Sequence, residues 1–239
     1  MNKLLSRSTA PRLNIRIWSL LVVLCVTIFP TQLNASTLPA LALPSKQTDQ
    51  AADTDSESRR AIVVLGDSIS ASYGIQREQG WVHLLDTALA QREESWFAVN
   101  ASISGETTGG GYARLAGVLA EHNPEIVIIE LGGNDGLRGY PVEKIRENLR
   151  GMVDLVNESG ATPIIVAMRI PPNYGPRYTR AFDTVFGEVA TEKNTAYVPF
   201  LLEEVALADN MMQEDGIHPT AQAQPLLLDA VWEELLPLL

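Results

Sequence analysis

The chain has 239 residues, 46% of them hydrophobic, with 18 basic against 29 acidic residues and a formal net charge of −11. That length suits one domain with extra segments, or at most two. The acidic balance argues against nucleic acid or an anionic membrane as a main partner.

Residues 1–42 differ from the rest. Lys3, Arg7, Arg12 and Arg16 are their only charges, and Ile17 to Phe29 is almost wholly apolar and closed by Pro30. A basic stretch, a short apolar core and small residues beyond it make a secretory signal, so an exported protein, periplasmic or secreted, is expected. The apolar run is shorter than the roughly 20 residues a spanning helix needs. Ala40-Leu41-Ala42 fits small-x-small cleavage better than Ala35 does. An uncleaved N-terminal anchor is the alternative and would be the only attachment to a membrane. The single cysteine, Cys25, follows Leu24, where a lipoprotein signal wants a small residue, so it reads as packing in the signal core. Cleavage after Ala42 leaves 14 basic against 29 acidic residues, a net charge of −15, and no thiol for a disulfide. Residues 43–60, "LPSKQTDQAADTDSESRR", are polar without periodicity and read as a disordered linker. The ordered domain is expected over 61–239.

From there apolar runs alternate with helix-like stretches. "AIVVLG" (61–66) reads as a buried strand that stops on Gly66-Asp67-Ser68. Trp81, Leu84, Leu85, Ala88 and Leu89 then form a helical stripe. "WFAVNAS" (96–102) is a second strand, and Leu115, Val118 and Leu119 mark the helix after it. "EIVIIELG" (125–132) is the third strand, followed by a stripe of Ile145, Leu149, Met152, Val153 and Val156. "TPIIVAM" (162–168) and "TAYVPF" (195–200) are the fourth and fifth. A short helix is expected after the fifth, and a final helix over Ala221 to Leu236 turns Leu227, Leu228, Val231 and Leu235 inward. Val/Ile-rich strands without clean alternation suit a parallel sheet covered on both faces. The fold class expected is therefore α/β, a three-layer α/β/α sandwich around a five-stranded parallel sheet.

In such sheets ligands gather beyond the carboxyl ends of the strands. Those ends carry Gly66-Asp67-Ser68, then "NASISG" (100–105), then "GGNDG" (132–136), then "RIPPNYGP" (169–176), and finally Asp215-Gly216-Ile217-His218-Pro219. Alone, Ser68 reads as a helix cap or a turn residue. As a nucleophile it needs a base within hydrogen-bond reach. There are three histidines: His83 lies inside a helix, His122 at a helix end, and His218 three residues after Asp215 and just before Pro219. Proline disfavours helical geometry at His218, and an acid three residues back can accept from its Nδ1, as in serine-histidine-acid triads. Asp215 and His218 also read as two metal ligands, but the other histidines are distant in sequence and no cysteine survives, so no metal is expected. Gly105 can offer a backbone N–H, Asn134 a side-chain amide and Ser68 its own N–H to a developing oxyanion. In isolation "GGNDG" reads as a tight turn and "GETTGGG" (105–111) as a helix start. The latter is no phosphate loop, because no Gly-Lys-Ser/Thr follows.

Taken together, "GDSIS", "NASISGETT", "LGGNDGLRG" and "DGIHP" resemble the SGNH (GDSL) hydrolase family. The resemblance covers nearly all of residues 61–239. Further matches at "ARL" (113–115), "LRG" (137–139), "NYG" (173–175) and "AQP" (223–225) are similar to its periplasmic subgroup of multifunctional acyl-CoA thioesterases, lysophospholipases and arylesterases. The resemblance implies a flavodoxin-like five-stranded sheet and no cofactor. It implies Ser68 as nucleophile, Asp215 and His218 as its partners, and Ser68, Gly105 and Asn134 as oxyanion donors. A small-molecule acyl ester or thioester is the expected partner. Ser70, two residues after Ser68, separates the chain from the Gly-x-Ser-x-Gly elbow of α/β-hydrolases. Ile69, Tyr73, Ile75, Leu137, Tyr140 and Tyr174 are candidates to line an acyl groove, and Ile170-Pro171-Pro172 leans toward acyl chains. The alternatives are a carbohydrate or peptidoglycan O-deacetylase using the same triad, and a binding module without chemistry. Partners other than substrate leave no signal; a monomer is expected.

Overall fold

The computed structural model describes residues 59–92 and 95–239. The signal segment 1–42 and linker residues 43–58 lie outside the described residues. Strand β1 (Arg60–Gly66) opens one residue before the expected boundary, then buries every position from Ala61 to Gly66. It is followed by α1 (Trp81–Leu89), β2 (Trp96–Asn100), α2 (Thr108–His122), β3 (Ile126–Glu130), α3 (Gly133–Leu137) and α4 (Val142–Glu158). The chain continues through β4 (Thr162–Val166), α5 (Pro176–Lys193), β5 (Ala196–Val198) and α6 (Gln224–Leu235).

The five strands form one parallel sheet in the order β2-β1-β3-β4-β5, the flavodoxin-like order. Successive side chains of a strand point to opposite faces, and each face buries its own core. Val63, Leu65, Val127, Ile129 and Ile165 pack with α2, α4 and α5. Ile62, Val64, Ile126, Ile128 and Ile164 pack with α1 and α6. The strands read as continuous apolar runs because both faces are covered.

Three elements depart from expectation: α3 takes up most of "GGNDG", which in isolation reads as a tight turn, and the other two are α5 and the segment after β5. No stripe was assigned to α5, although Phe182, Val185, Phe186, Val189 and Ala190 repeat at helical spacing and are buried. Pro176 is the first helical residue, where its missing N–H costs nothing. After β5, residues 201–207 form consecutive turns in place of the expected short helix.

β1 is an interior strand, with β2 on one side and β3 on the other. The winding direction reverses there, which opens a crevice beyond the carboxyl ends of β1 and β3.

Candidate active site

Ser68 lies two residues beyond β1, in a turn closed by Ala71 N–H to Asp67 O at 2.9 Å and Tyr73 N–H to Ser68 O at 3.0 Å. Its Oγ is 2.8 Å from His218 Nε2, and His218 Nδ1 is 2.6 Å from Asp215 Oδ2. The other Asp215 oxygen accepts from Ile217 N–H at 2.9 Å and His218 N–H at 3.0 Å. One short loop therefore fixes both the acid and the imidazole. An antiparallel bridge between Met212 and Pro219 closes that loop. Gln213 ties it to the Ser68 turn, donating to Tyr73 O at 2.8 Å. The Tyr73 ring lies against the imidazole, with centroids 4.4 Å apart. The bond to His218 holds the Asp215 carboxyl down at about 2, so it stays ionised at neutral pH.

Gly105, Asn134 and Ser68 line the same cleft. Among the described residues neither Ser68 N–H nor Gly105 N–H has a protein acceptor, so both donors remain available. Gly105 has a φ of +80°, which an L side chain rarely adopts. Arg138 donates to its carbonyl at 3.1 Å. Asn134 sits in the first turn of α3 and gives one amide hydrogen to Asp67 Oδ2 at 3.0 Å, leaving the other free. Asp67 also accepts from Ile69 N–H at 3.0 Å.

The cleft has a volume of about 720 Å³ and a mainly apolar lining. Ile69, Tyr73, Leu137 and Ile170-Pro171-Pro172 line it. Ile75, Tyr140 and Tyr174 do not. Tyr174 spends its hydroxyl on Leu137 O at 2.8 Å, and the Tyr140 carbonyl accepts from Tyr178 at 2.6 Å, so both brace the loop from behind. Met168, Phe200, Leu202 and Met212 complete the apolar wall. They come from the segments after β4 and β5, whose course was not legible in the sequence. His83 is exposed on α1, and His122 ends α2; neither approaches the cleft.

The model of the GDSL-like lipase/acylhydrolase family matches residues 64–225. The chain belongs to this family. It is 50% identical over 186 residues to esterase TesA of Pseudomonas aeruginosa, which covers 78% of this chain and 92% of that protein. It is 41% identical over 177 residues to thioesterase 1/protease 1/lysophospholipase L1 of Escherichia coli, covering 74% of this chain and 84% of that protein. The crystal structure of the psychrotrophic esterase EstA from Pseudoalteromonas, inhibited by monoethylphosphonate, superposes with a TM-score of 0.72 at 40% identity, covering 75% of this chain and 98% of that one.

Two acids of this family member escaped the sequence reading of roles. Asp67 belongs to the "GDSIS" stretch and bonds Asn134, which no spacing rule announces. Burial pushes its carboxyl up to about 6, against the bonds from Ile69 and Asn134. Glu130 ends β3, is fully buried, and lies beside Gly66 in the sheet register. Burial, and then the neighbouring Asp67, hold its carboxyl well above the usual carboxylate range. The signal for Glu130 was present: it is an acid inside the apolar run "EIVIIELG". Among the described residues no group of three or more His, Cys, Asp or Glu is placed to hold a metal.

Proposed function

We propose that this family member is a serine hydrolase of carboxylic esters and thioesters that uses Ser68, His218 and Asp215. Ser68 Oγ attacks the acyl carbonyl carbon while its proton passes to His218 Nε2. Asp215 holds the imidazole and steadies its cation. The oxygen that gains charge is received by Ser68 N–H, Gly105 N–H and the free Asn134 amide hydrogen. As the tetrahedral intermediate collapses, the alcohol or thiol leaves with the proton from His218. Water then attacks the acyl-enzyme with His218 as base, and the free acid departs.

The observation that carries this reading is the unbroken chain Ser68 Oγ, His218, Asp215 at 2.8 and 2.6 Å, beside three donors lining one apolar cleft. Apolar walls favour acyl chains over sugars as the recognised part. The names of the relatives, an esterase and a thioesterase/lysophospholipase, support the same reaction class. The basic-then-apolar start of the chain supports export. Among the described residues no helix is long and apolar enough to cross a membrane.

The test is hydrolysis of p-nitrophenyl butyrate by the wild type and Ser68→Ala, with fluorophosphonate labelling of each. Turnover and labelling by the wild type, both lost in Ser68→Ala, are expected. A variant as active as the wild type rejects the mechanism.

A further inference from the structure

The Glu130 carboxyl occupies an unusual place. It terminates a strand whose other four residues are all buried and apolar, and it is itself 0% exposed. Its Oε2 accepts from Asp67 N–H at 3.1 Å and from Ser70 Oγ at 2.6 Å. Those residues stand immediately before Ser68 and two after it. Its other oxygen, Oε1, is buried without a partner among the described residues. Ser70 carries the connection onward. Its hydroxyl accepts from Trp81 Nε1 at 3.2 Å, and its carbonyl accepts from Asn100 Nδ2 at 2.7 Å. Asn100 Oδ1 then accepts from Ser102 N–H at 3.1 Å, at the start of the loop that bears Gly105.

Packing alone does not account for this. Burying a carboxyl is costly, and a well-packed apolar residue of similar volume serves a strand core at least as well. The sheet also yields space for the acid. A Cβ on Gly66 would lie 2.5 Å from Glu130 Oε2, 2.7 Å from Ser70 Cβ and 2.8 Å from Ser102 Oγ. A side chain at 66 would displace the carboxyl from the turn.

We infer that Glu130 is a positioning residue for the proposed reaction: its carboxyl ties the Asp67 N–H and the Ser70 hydroxyl, on either side of Ser68, to the end of β3 and, through Ser70, sets that turn against the loop that carries Gly105. The inference rests on the reading of Ser68 as nucleophile and Gly105 as oxyanion donor. Glu130 acts as a neutral acid, consistent with its complete burial. Oε2 is then a carbonyl oxygen whose two lone pairs meet the two donors. The role thus requires an accepting oxygen at that point and no negative charge.

The experiment compares the full-length wild type with Glu130→Gln, Glu130→Ala and Ser70→Ala on p-nitrophenyl butyrate, and follows amide exchange at Asp67 N–H. Gln keeps the accepting oxygen, so its kcat should stay within about threefold of the wild type. Ala removes it, and kcat should fall about 10- to 100-fold with KM within about twofold, because the reacting groups are displaced while the cleft is intact. Asp67 N–H should exchange at least about tenfold faster in Glu130→Ala and at the wild-type rate in Glu130→Gln. Full kcat in a folded Glu130→Ala overturns the inference, and so does a Glu130→Gln as impaired as Glu130→Ala. If Glu130→Ala does not fold, Ser70→Ala decides: lowered kcat at unchanged KM supports the tie, and unchanged kcat overturns it. The exchange measurement needs no turnover, so an inert wild type counts against the proposed reaction while exchange still reports on the Glu130 tie.

Discussion

Ser68 Oγ and His218 Nε2 stand 2.8 Å apart although 150 positions separate them in the chain. Gln213 Nε2 on the Tyr73 carbonyl and the Tyr73 ring on the imidazole also join the distant segments. The serine turn is rooted in β1, an interior strand of the sheet. The histidine loop is clamped onto that turn, so the place of the imidazole depends on the surroundings of Ser68.

Replacing the acid tests the base directly. Asp215→Asn keeps the side-chain shape and one acceptor but removes the charge that steadies the imidazolium. Its side chain is 40% exposed, so water can stand in for part of that support. The expected loss in kcat is about 10²- to 10⁴-fold with KM little changed. Steady-state kinetics on p-nitrophenyl butyrate measure it, and a loss below tenfold denies Asp215 the role.

Asn134→Ala should cost about 10²- to 10³-fold in kcat, the usual price of one oxyanion donor. It should leave fluorophosphonate-free binding of a product fatty acid nearly unchanged, since the apolar wall is untouched. Equal losses in acid binding and turnover would instead mark Asn134 as part of the scaffold.

Asp67 couples function to stability. Its folded value is raised to about 6 by burial, from an ordinary value of 3.8. Between those values the folded state binds more protons than the unfolded state, so stability falls as pH rises through this window. The contribution is fully present below about 4 and lost above about 6. Asp67→Asn removes this dependence and should stabilise the domain at pH 8 by on the order of 2 kcal/mol, with the gain vanishing near pH 4. The same change disturbs the carboxylate that orients Asn134, so kcat should fall about tenfold or more. Thermal melts across pH, read beside kcat, check both halves. A gain that grows toward low pH contradicts the sign.

Chain length tests the cleft. A volume near 720 Å³ walled by Ile69, Leu137, Ile170, Phe200 and Met212 accepts more than an acetyl group. Each methylene buried contributes about 0.8 kcal/mol, so kcat/KM should rise up to about fourfold per added carbon until the wall is covered. A series of p-nitrophenyl esters from acetate to decanoate measures the slope. A flat or falling series would place the acyl chain outside this cleft.

Some of this was legible from local pattern and some was not. The apolar runs predicted five strands because a parallel sheet covered on both faces needs apolar side chains at successive positions. The segments just beyond the first three runs carried Ser68, Gly105 and Asn134, because a strand terminus is where backbone and side chains escape the core; His218 comes from a loop twenty residues beyond β5. Asp215 was readable beside His218, since a three-residue span within one loop suffices for their bond. Tyr140 and Tyr174 were candidates to line the groove, yet the Tyr174 hydroxyl donates to Leu137 O and the Tyr140 carbonyl accepts from Tyr178 outside the cleft. That choice depends on α5, which lies across the loop and was not assigned.

By itself the sequence determined the strand-helix alternation, the identity of the chemical groups and the strand ends at which they emerge, since burial period and local turns act over a few residues. Only the tertiary structure decided that the serine and histidine meet, that Asn134 answers to Asp67, and that a buried acid at the end of β3 supports the turn. Those relations join segments about 60 to 150 positions apart, and their distances follow from the strand order and register that bring non-neighbouring loops to one edge of the sheet.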